Sequence, residues 1–334
     1  MFVVLAKSMR HEFSEAHMPR AKSPGEIIPF SATPQQIVCA TDFSAQSAQA
    51  TQAATALAGR LHEPLVLLHA IDESARRALP GEVRNSLRSF ERQRLADEAQ
   101  SLRESGIEVH EAFCEGTPDA MLAESANAPQ TRLVVLSSHG RKPPARQLPA
   151  SLPERLAQTL PVPTLIVRSA APLIAWARGE RTLRVFVGAD FSTPSAAALE
   201  WVSWLRRVGP CDVVVAYIES LISDSGPADA EHAPNAIPVL AQMAEVEERA
   251  FRKRVRAVLG PGRLRIRFED GWGRSDVHLI EMAGEERADL MVVGTHQRHG
   301  LARMRQPSVS RSVIHYAPMN VACIPAVHAA GADG

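Results

Sequence analysis

Two apolar runs in this chain end in the same tripeptide. Ile37-Val38-Cys39-Ala40-Thr41-Asp42-Phe43-Ser44 is answered by Val185-Phe186-Val187-Gly188-Ala189-Asp190-Phe191-Ser192. Each is followed by an alanine-rich stretch with helical character, Ala45 to Leu61 and Thr193 to Val208. A serine directly after a strand is a natural helix N-cap, because its hydroxyl takes a backbone N–H that the first turn leaves unpaired. The pattern is therefore strand, turn, helix, present twice. The chain has 334 residues, too many for one ordinary core and comfortable for two.

The match continues in order along both halves. Leu65–Ala70 parallels Asp212–Tyr217 as a second buried strand. Amphipathic helices are expected over about Glu82–Ser105 and Pro238–Leu259. Ile107–His110 and Leu264–Arg267 alternate like strands. Gly116-Thr117-Pro118-Asp119 and Gly273-Arg274-Ser275-Asp276 each open a further helix. Leu133–Leu136 and Leu290–Val293 are fourth strands, and Thr164–Val167 and Val321–Ile324 are fifth strands. Strands alternating with helices predict parallel sheets with right-handed crossovers, and continuously apolar strands predict cover on both faces. The expected fold is α/β, Rossmann-like: two tandem open five-stranded parallel sheets with helices on both faces. The expected divisions are an arm over 1–33, a first domain over 34–168, a linker over 169–181, a second domain over 182–326 and a tail over 327–334. Ser220–Asn235, rich in Ser, Asp, Ala and Pro, reads as a loop.

Lysine plus arginine equals aspartate plus glutamate, 37 each. That balance argues against a dedicated nucleic-acid or anionic-membrane binder. No apolar run approaches the roughly 18 residues that span a bilayer, and the start lacks the form of a signal peptide. Cys39, Cys114, Cys211 and Cys323 show no CxxC spacing and lie in or beside apolar runs. They read as buried, reduced thiols in a cytoplasmic protein. The histidines show no strong metal spacing. His296 and His299 are close but fall on a loop, and no metal site is expected. No nucleophile elbow or P-loop is present, so no catalytic residue is assigned. Trp201 and Trp204, three apart on a helix, read as packing surface.

In an open parallel sheet, ligands bind beyond the carboxyl ends of the strands. In the first half those ends carry Thr41, Asp42, Ala70 and the loop from Ser137 to Ser151. In the second they carry Asp190, Tyr217 and the loop from Gly294 to Ser308. With these residues in view, each half resembles a universal stress protein domain. That family carries an aspartate at the end of its first strand. After the fourth strand it carries Gly, two residues, Gly, nine residues, Gly, then Ser or Thr. In its nucleotide-binding members the aspartate region and the second strand hold adenine and ribose, and the glycine-rich loop and the next helix start hold phosphates. The chemistry is general, since glycines admit close backbone approach and helix-start amides donate to anions.

The resemblance implies a stress-response regulatory protein with a site for ATP or a related adenine nucleotide in the first half, with magnesium. Its residues are Thr41, Asp42, Ala70, Ser137, Gly140, Ala150, Ser151 and Leu152. Arg141, Lys142 and Arg146 stand ready to neutralise phosphate or to be solvated. The second half departs further from the pattern and offers only Asp190, Gly294 and Ser308. Gln297 adds bulk there, and Pro307 lacks the N–H that a phosphate would use. Two alternatives stand beside this reading. One is an interaction module without a ligand, in which Asp42 only caps its helix. The other is an enzyme, at most a slow ATPase. The resemblance also implies self-association through fifth strands, Thr164–Arg168 against Asn320–Pro325. The two halves would form an internal pseudo-dimer, and two chains a homodimer.

Overall fold

The computed structural model describes residues 35–138, 151–220, 236–271, 274–295 and 309–326. In chain order the strands are β1 (Gln36–Ala40), β2 (Leu65–Ile71), β3 (Val109–Glu115), β4 (Thr131–Ser137), β5 (Thr164–Val167), β6 (Leu183–Gly188), β7 (Cys211–Ser220), β8 (Leu264–Gly271), β9 (Leu290–Thr295) and β10 (Asn320–Pro325). The helices are α1 (Ala45–Leu61), α2 (Gly81–Arg103), α3 (Pro118–Asn127), α4 (Leu152–Ala157), α5 (Ala171–Ala177), α6 (Thr193–Val208), α7 (Ala236–Leu259), α8 (Ser275–Glu285) and α9 (Val309–Tyr316). A 3₁₀ turn, Glu73–Arg76, precedes α2.

The caps follow the sequence signals. Ser44 Oγ accepts the Ser47 N–H at 3.1 Å, and Ser192 Oγ accepts the Ser195 N–H at 3.3 Å. Thr117 caps α3, which has proline in its first turn. Helix α1 ends on His62, whose φ of 56° is left-handed and lets its N–H reach the Ala58 carbonyl. Strand β3 begins two residues later than the alternation at Ile107 suggests. It is an edge strand, and its polar His110, Glu111 and Glu115 blur the apolar signal.

The expectation of two separate five-stranded sheets is corrected. All ten strands form one sheet, in the order β3-β2-β1-β4-β5-β10-β9-β6-β7-β8. Each half is parallel within itself. The halves meet where β5 and β10 pair antiparallel, with Ile166 opposite Val321, Leu165 opposite Ala322 and Thr164 opposite Cys323. This is the fifth-strand contact that the resemblance implied, made within one chain. Two edges that would otherwise expose unpaired backbone groups are thereby closed. Because the seam is antiparallel, the carboxyl ends of the two sets of parallel strands lie at opposite rims.

The linker expected over 169–181 contains helix α5. Its apolar side chains belong to the core: Trp176 is fully buried and Leu173 nearly so. One continuous core cluster joins α1, α5 and α6 across the two halves on one face. Trp176 Nε1 donates to the Pro210 carbonyl at 2.9 Å. A Cβ at Gly209 would stand 2.8 Å from the Trp176 ring, so any larger residue there must displace the ring. The alanines of α1, among them Ala50, Ala53 and Ala54, keep that helix low enough to pack against both sheet and α5. Trp201 and Trp204 are buried on α6, with ring centroids 5.8 Å apart. Two further clusters cover the other face, one under α3 and α4 and one under α8 and α9. Cys39, Cys211 and Cys323 are buried and Cys114 is half-buried; burial pushes the Cys39 thiol up to about 12. Among the described residues no helix is long and apolar enough to cross a membrane.

Candidate functional site

Strand order places a crevice in each half. From β1 the chain crosses to β2 on one side, while β4, paired to β1 on the other side, continues outward to β5. Between β1 and β4 the order reverses, and an open α/β sheet leaves its ligand crevice at such a point. The matching point in the second half lies between β6 and β9.

In the first half, β1 ends in a tight turn. Thr41 is buried, and its Oγ1 accepts the Phe43 N–H at 3.1 Å. Its own proton is shared between Ser47 Oγ and Glu98 Oε2, each at 3.3 Å. Asp42 Oδ1 accepts the Ser44 N–H at 3.0 Å. Phe43 has a φ of 61°, a left-handed conformation that costs a non-glycine residue energy. Its ring lies 4.4 Å from the His69 ring and 4.5 Å from the Arg94 guanidinium. A shallow cleft of about 380 Å³, lined in part by Phe43, Ser44, Arg94 and Glu98, opens beside this turn.

The candidate residues divide by face. Ala70 packs into the cluster under α3 and α4. Its neighbour His69 points to the α2 face, where Nδ1 lies 2.8 Å from the Thr41 carbonyl. His69 Nε2 is 3.9 Å from Glu91 Oε2, and Arg76 grips both Glu91 oxygens at 2.8 Å. Ser137 ends β4, two residues beyond the Cys39–Val135 pairing, and so stands beside the turn at Thr41. Ser151 caps α4: its Oγ accepts the Glu154 N–H at 3.4 Å, with Leu152 the first helical residue. Gly140 and Ala150 lie outside the described residues, as do Arg141, Lys142 and Arg146.

The second half builds a different turn from the same tripeptide. Ala189 stands where Thr41 would be and has no hydroxyl to offer. Asp190 Oδ1 accepts both the Ser192 N–H at 2.8 Å and the Ser195 hydroxyl at 2.6 Å, while the Asp190 N–H donates to Ser195 Oγ at 3.0 Å. The carboxylate is thus turned toward its own helix. Gly294 lies against α6 so closely that a Cβ would come within 2.4 Å of the Pro194 backbone. Its missing side chain serves helix–strand packing at this point. Ser308, Gln297, Pro307 and the His296/His299 pair lie outside the described residues.

Register corrects one equivalence. Pairing Leu65–Ala70 with Asp212–Tyr217 is off by one residue. Ile37 is opposite Leu65 and Val185 is opposite Val213, so His69 corresponds to Tyr217 and Ala70 to Ile218. The side chains agree. Tyr217 donates to Glu247 Oε1 at 2.5 Å and sits 6.0 Å from Phe191, as His69 sits by Glu91 and Phe43. Their β3 and β8 neighbours are Phe113 and Phe268. Sequence reading did not pair His69 with Glu91, whose match to Tyr217 and Glu247 appears only once the halves are superposed in the right register. Among the described residues no group of three His, Cys, Asp or Glu is placed to hold a metal ion.

A family model described as the universal stress protein family matches residues 34–168 and again 182–325. The fold is similar to that of a universal stress protein from Archaeoglobus fulgidus DSM 4304, with TM-score 0.62, 15% identity, and 87% of this chain and 96% of that chain covered. It is also similar to a functionally unknown protein from Pseudomonas aeruginosa PAO1, with TM-score 0.57, 16% identity, and 88% and 94% covered. A putative universal stress protein from Pseudomonas aeruginosa UCBPP-PA14 gives TM-score 0.55, 16% identity, and the same coverages. No curated protein matches the sequence. With two matched copies filling most of its length, this chain belongs to the universal stress protein family and carries two of its domains in tandem.

Proposed function

We propose that the chain is a stress-response regulatory protein whose first half holds ATP or a related adenine nucleotide at the β1–β4 crevice, while the second half is kept for packing. The contrast between the two crevices carries this reading. In the second, Asp190 is bound to Ser195 and Gly294 is pressed against Pro194. The described residues of that crevice serve a packed helix start. In the first, the equivalent position is Ser137, and the loop that follows keeps the family's spacing through Gly140, Ala150 and Ser151. A carboxylate such as Asp42 accepts hydroxyl donors of the kind a ribose carries. Gly140 and the amides opening α4 suit phosphate oxygens. The nucleotide would supply an anionic ligand whose occupancy the chain reports, with turnover at most slow. Magnesium would come with the phosphates.

One observation favours the reading without a ligand. Ser151 and Asp42 both accept a backbone N–H at a helix start, which alone accounts for their residue types. Thermal shift with ATP and magnesium separates the two. A site in the first half raises the melting temperature with ligand concentration, by the equivalent of about 2.7 kcal/mol at a hundredfold excess over Kd. Gly140→Glu abolishes the rise and Ser308→Glu leaves it. The same flat response of wild type and Gly140→Glu to ATP and AMP would refute nucleotide binding.

A further inference from the structure

The seam between the halves is a pseudo-twofold contact, and the residues that meet across its axis are not alike. Leu165 pairs with Val135, and Ala322 pairs with Val292, so Leu165 and Ala322 hold the same place in the two copies. They are also directly opposite one another across the seam. Both are buried, so a large side chain faces a small one where a symmetric pair would set like against like.

The same holds one layer out. The copies stay in step from the helix start to the fifth strand, so Glu154 on α4 corresponds to Arg311 on α9. These two face each other, with Arg311 Nε 3.5 Å from Glu154 Oε2. His315 Nδ1 adds a contact to Glu154 Oε1 at 3.0 Å. Glu154 is buried, and its two partners are exposed. Asn320 supplies a third asymmetry. Its Oδ1 accepts the N–H groups of Arg168 and Ser169 at 2.8 and 3.1 Å, and its Nδ2 donates to the carbonyls of Ser169 and Asp289. The first-half residue in its place is Pro163, which has no side-chain amide. The second-half residue in the place of Arg168 is Pro325, which has no N–H to give.

We propose that each fifth-strand edge is a heterospecific docking surface, which accepts the other half and rejects its own kind. Two first halves would set Leu165 against Leu165 and a buried Glu154 against Glu154, with no amide to bridge the strand ends. Two second halves would leave a gap at Ala322, set Arg311 against Arg311, and deprive Asn320 of its Arg168 donor. Overpacking, cavities and unpaired buried charge are each costly, and repulsion of wrong partners is how paired surfaces gain specificity. The partner that this surface fits is therefore the opposite half of the same chain, and like halves of two copies do not associate through it.

Full-length variants test this by mimicking the forbidden pairs. Glu154→Arg with Leu165→Ala gives the first half a second-half seam. Arg311→Glu with Ala322→Leu does the reverse. Each double variant should melt about 5 °C or more below wild type, while all four substitutions together restore the complementarity and recover at least half of the summed loss. A fourfold variant that loses the full sum would overturn the proposal. Should a double variant fail to fold, the charge cycle alone decides it. Glu154→Arg and Arg311→Glu should each lower the melting temperature, and the pair should melt above the additive value. Strict additivity would overturn the proposal.

Discussion

His69 and Tyr217 occupy one position in the two halves, each leaning on the phenylalanine of its Asp-Phe-Ser turn and facing a glutamate of the long helix. In the first half the ring has a second task. A carbonyl oxygen only accepts, so the 2.8 Å contact to Thr41 requires that Nδ1 carry the proton. That bond ties the end of β2 to the turn at Asp42. His69→Ala would leave a buried carbonyl without this donor and open space under Phe43. The expected cost is about 1–3 kcal/mol in urea unfolding. His69→Tyr, which copies the second half, should cost less than the alanine change. Equal losses for the two would contradict the equivalence.

Trp176 makes the connection between the halves a structural element. Its ring is fully buried against Gly209 and bonded to the Pro210 carbonyl. Trp176→Ala should destabilise by about 3–5 kcal/mol. Gly209→Ala should cost about 1–3 kcal/mol through overpacking. The alanine at 209 should be much better tolerated once Trp176 is already alanine, because the ring it strikes is gone. Calorimetry on the four proteins of this cycle measures the coupling, and simple additivity would show that the clash is not what fixes Gly209.

Most of the strands and helices were legible because their signals are local. Ser44 and Ser192 cap helices, and apolar runs such as Leu133–Leu136 read as strands wherever they lie. What escaped depends on comparisons that no local window contains. Uniformly apolar runs such as Leu65–Leu68 and Val213–Val215 can slide by one residue without changing hydrophobicity, which is how the β2 register was misread. Helix α5 is short, with Pro172 in its first turn and Gly179 just past its end, so it reads as linker in the sequence. The single sheet follows from two edges pairing, and edge-to-edge joining leaves no periodicity. At the site, the helix-start places of Asp42 and Ser151 were legible from the strand end and from the family's loop spacing. The packing of Gly294 on Pro194 was not, since close approach of a helix leaves no mark in the local sequence.

His62 offers a gain. It ends α1 in the left-handed region, with φ 56°, and its side chain is exposed. Glycine adopts that conformation without a Cβ penalty. His62→Gly should stabilise the protein by up to about 1 kcal/mol, and the β-branched His62→Val should destabilise it. Denaturant midpoints of the two variants should therefore fall on opposite sides of wild type. A loss for the glycine variant would mean that the imidazole contributes more than its backbone costs.

Asp289 should set part of the acid limit of stability. It is buried between the halves' connection and β6. Burial alone pushes its carboxyl up. The side-chain and backbone hydrogen bonds of Arg184, with the charges of Arg181 and Arg184, outweigh this and hold it below the usual range. Asp276, gripped by Arg274, is held down in the same direction. A carboxyl whose folded value lies below its unfolded value, near about 3.9, contributes stability that is present above that pH. The contribution is lost as pH falls through the folded value. Asp289→Asn removes this term and should be less stable than wild type at pH 7. Between about pH 5 and pH 2 its stability should fall less steeply, so the two curves converge in acid. Urea unfolding across that range provides the measurement, and parallel curves would show that Asp289 does not couple to folding.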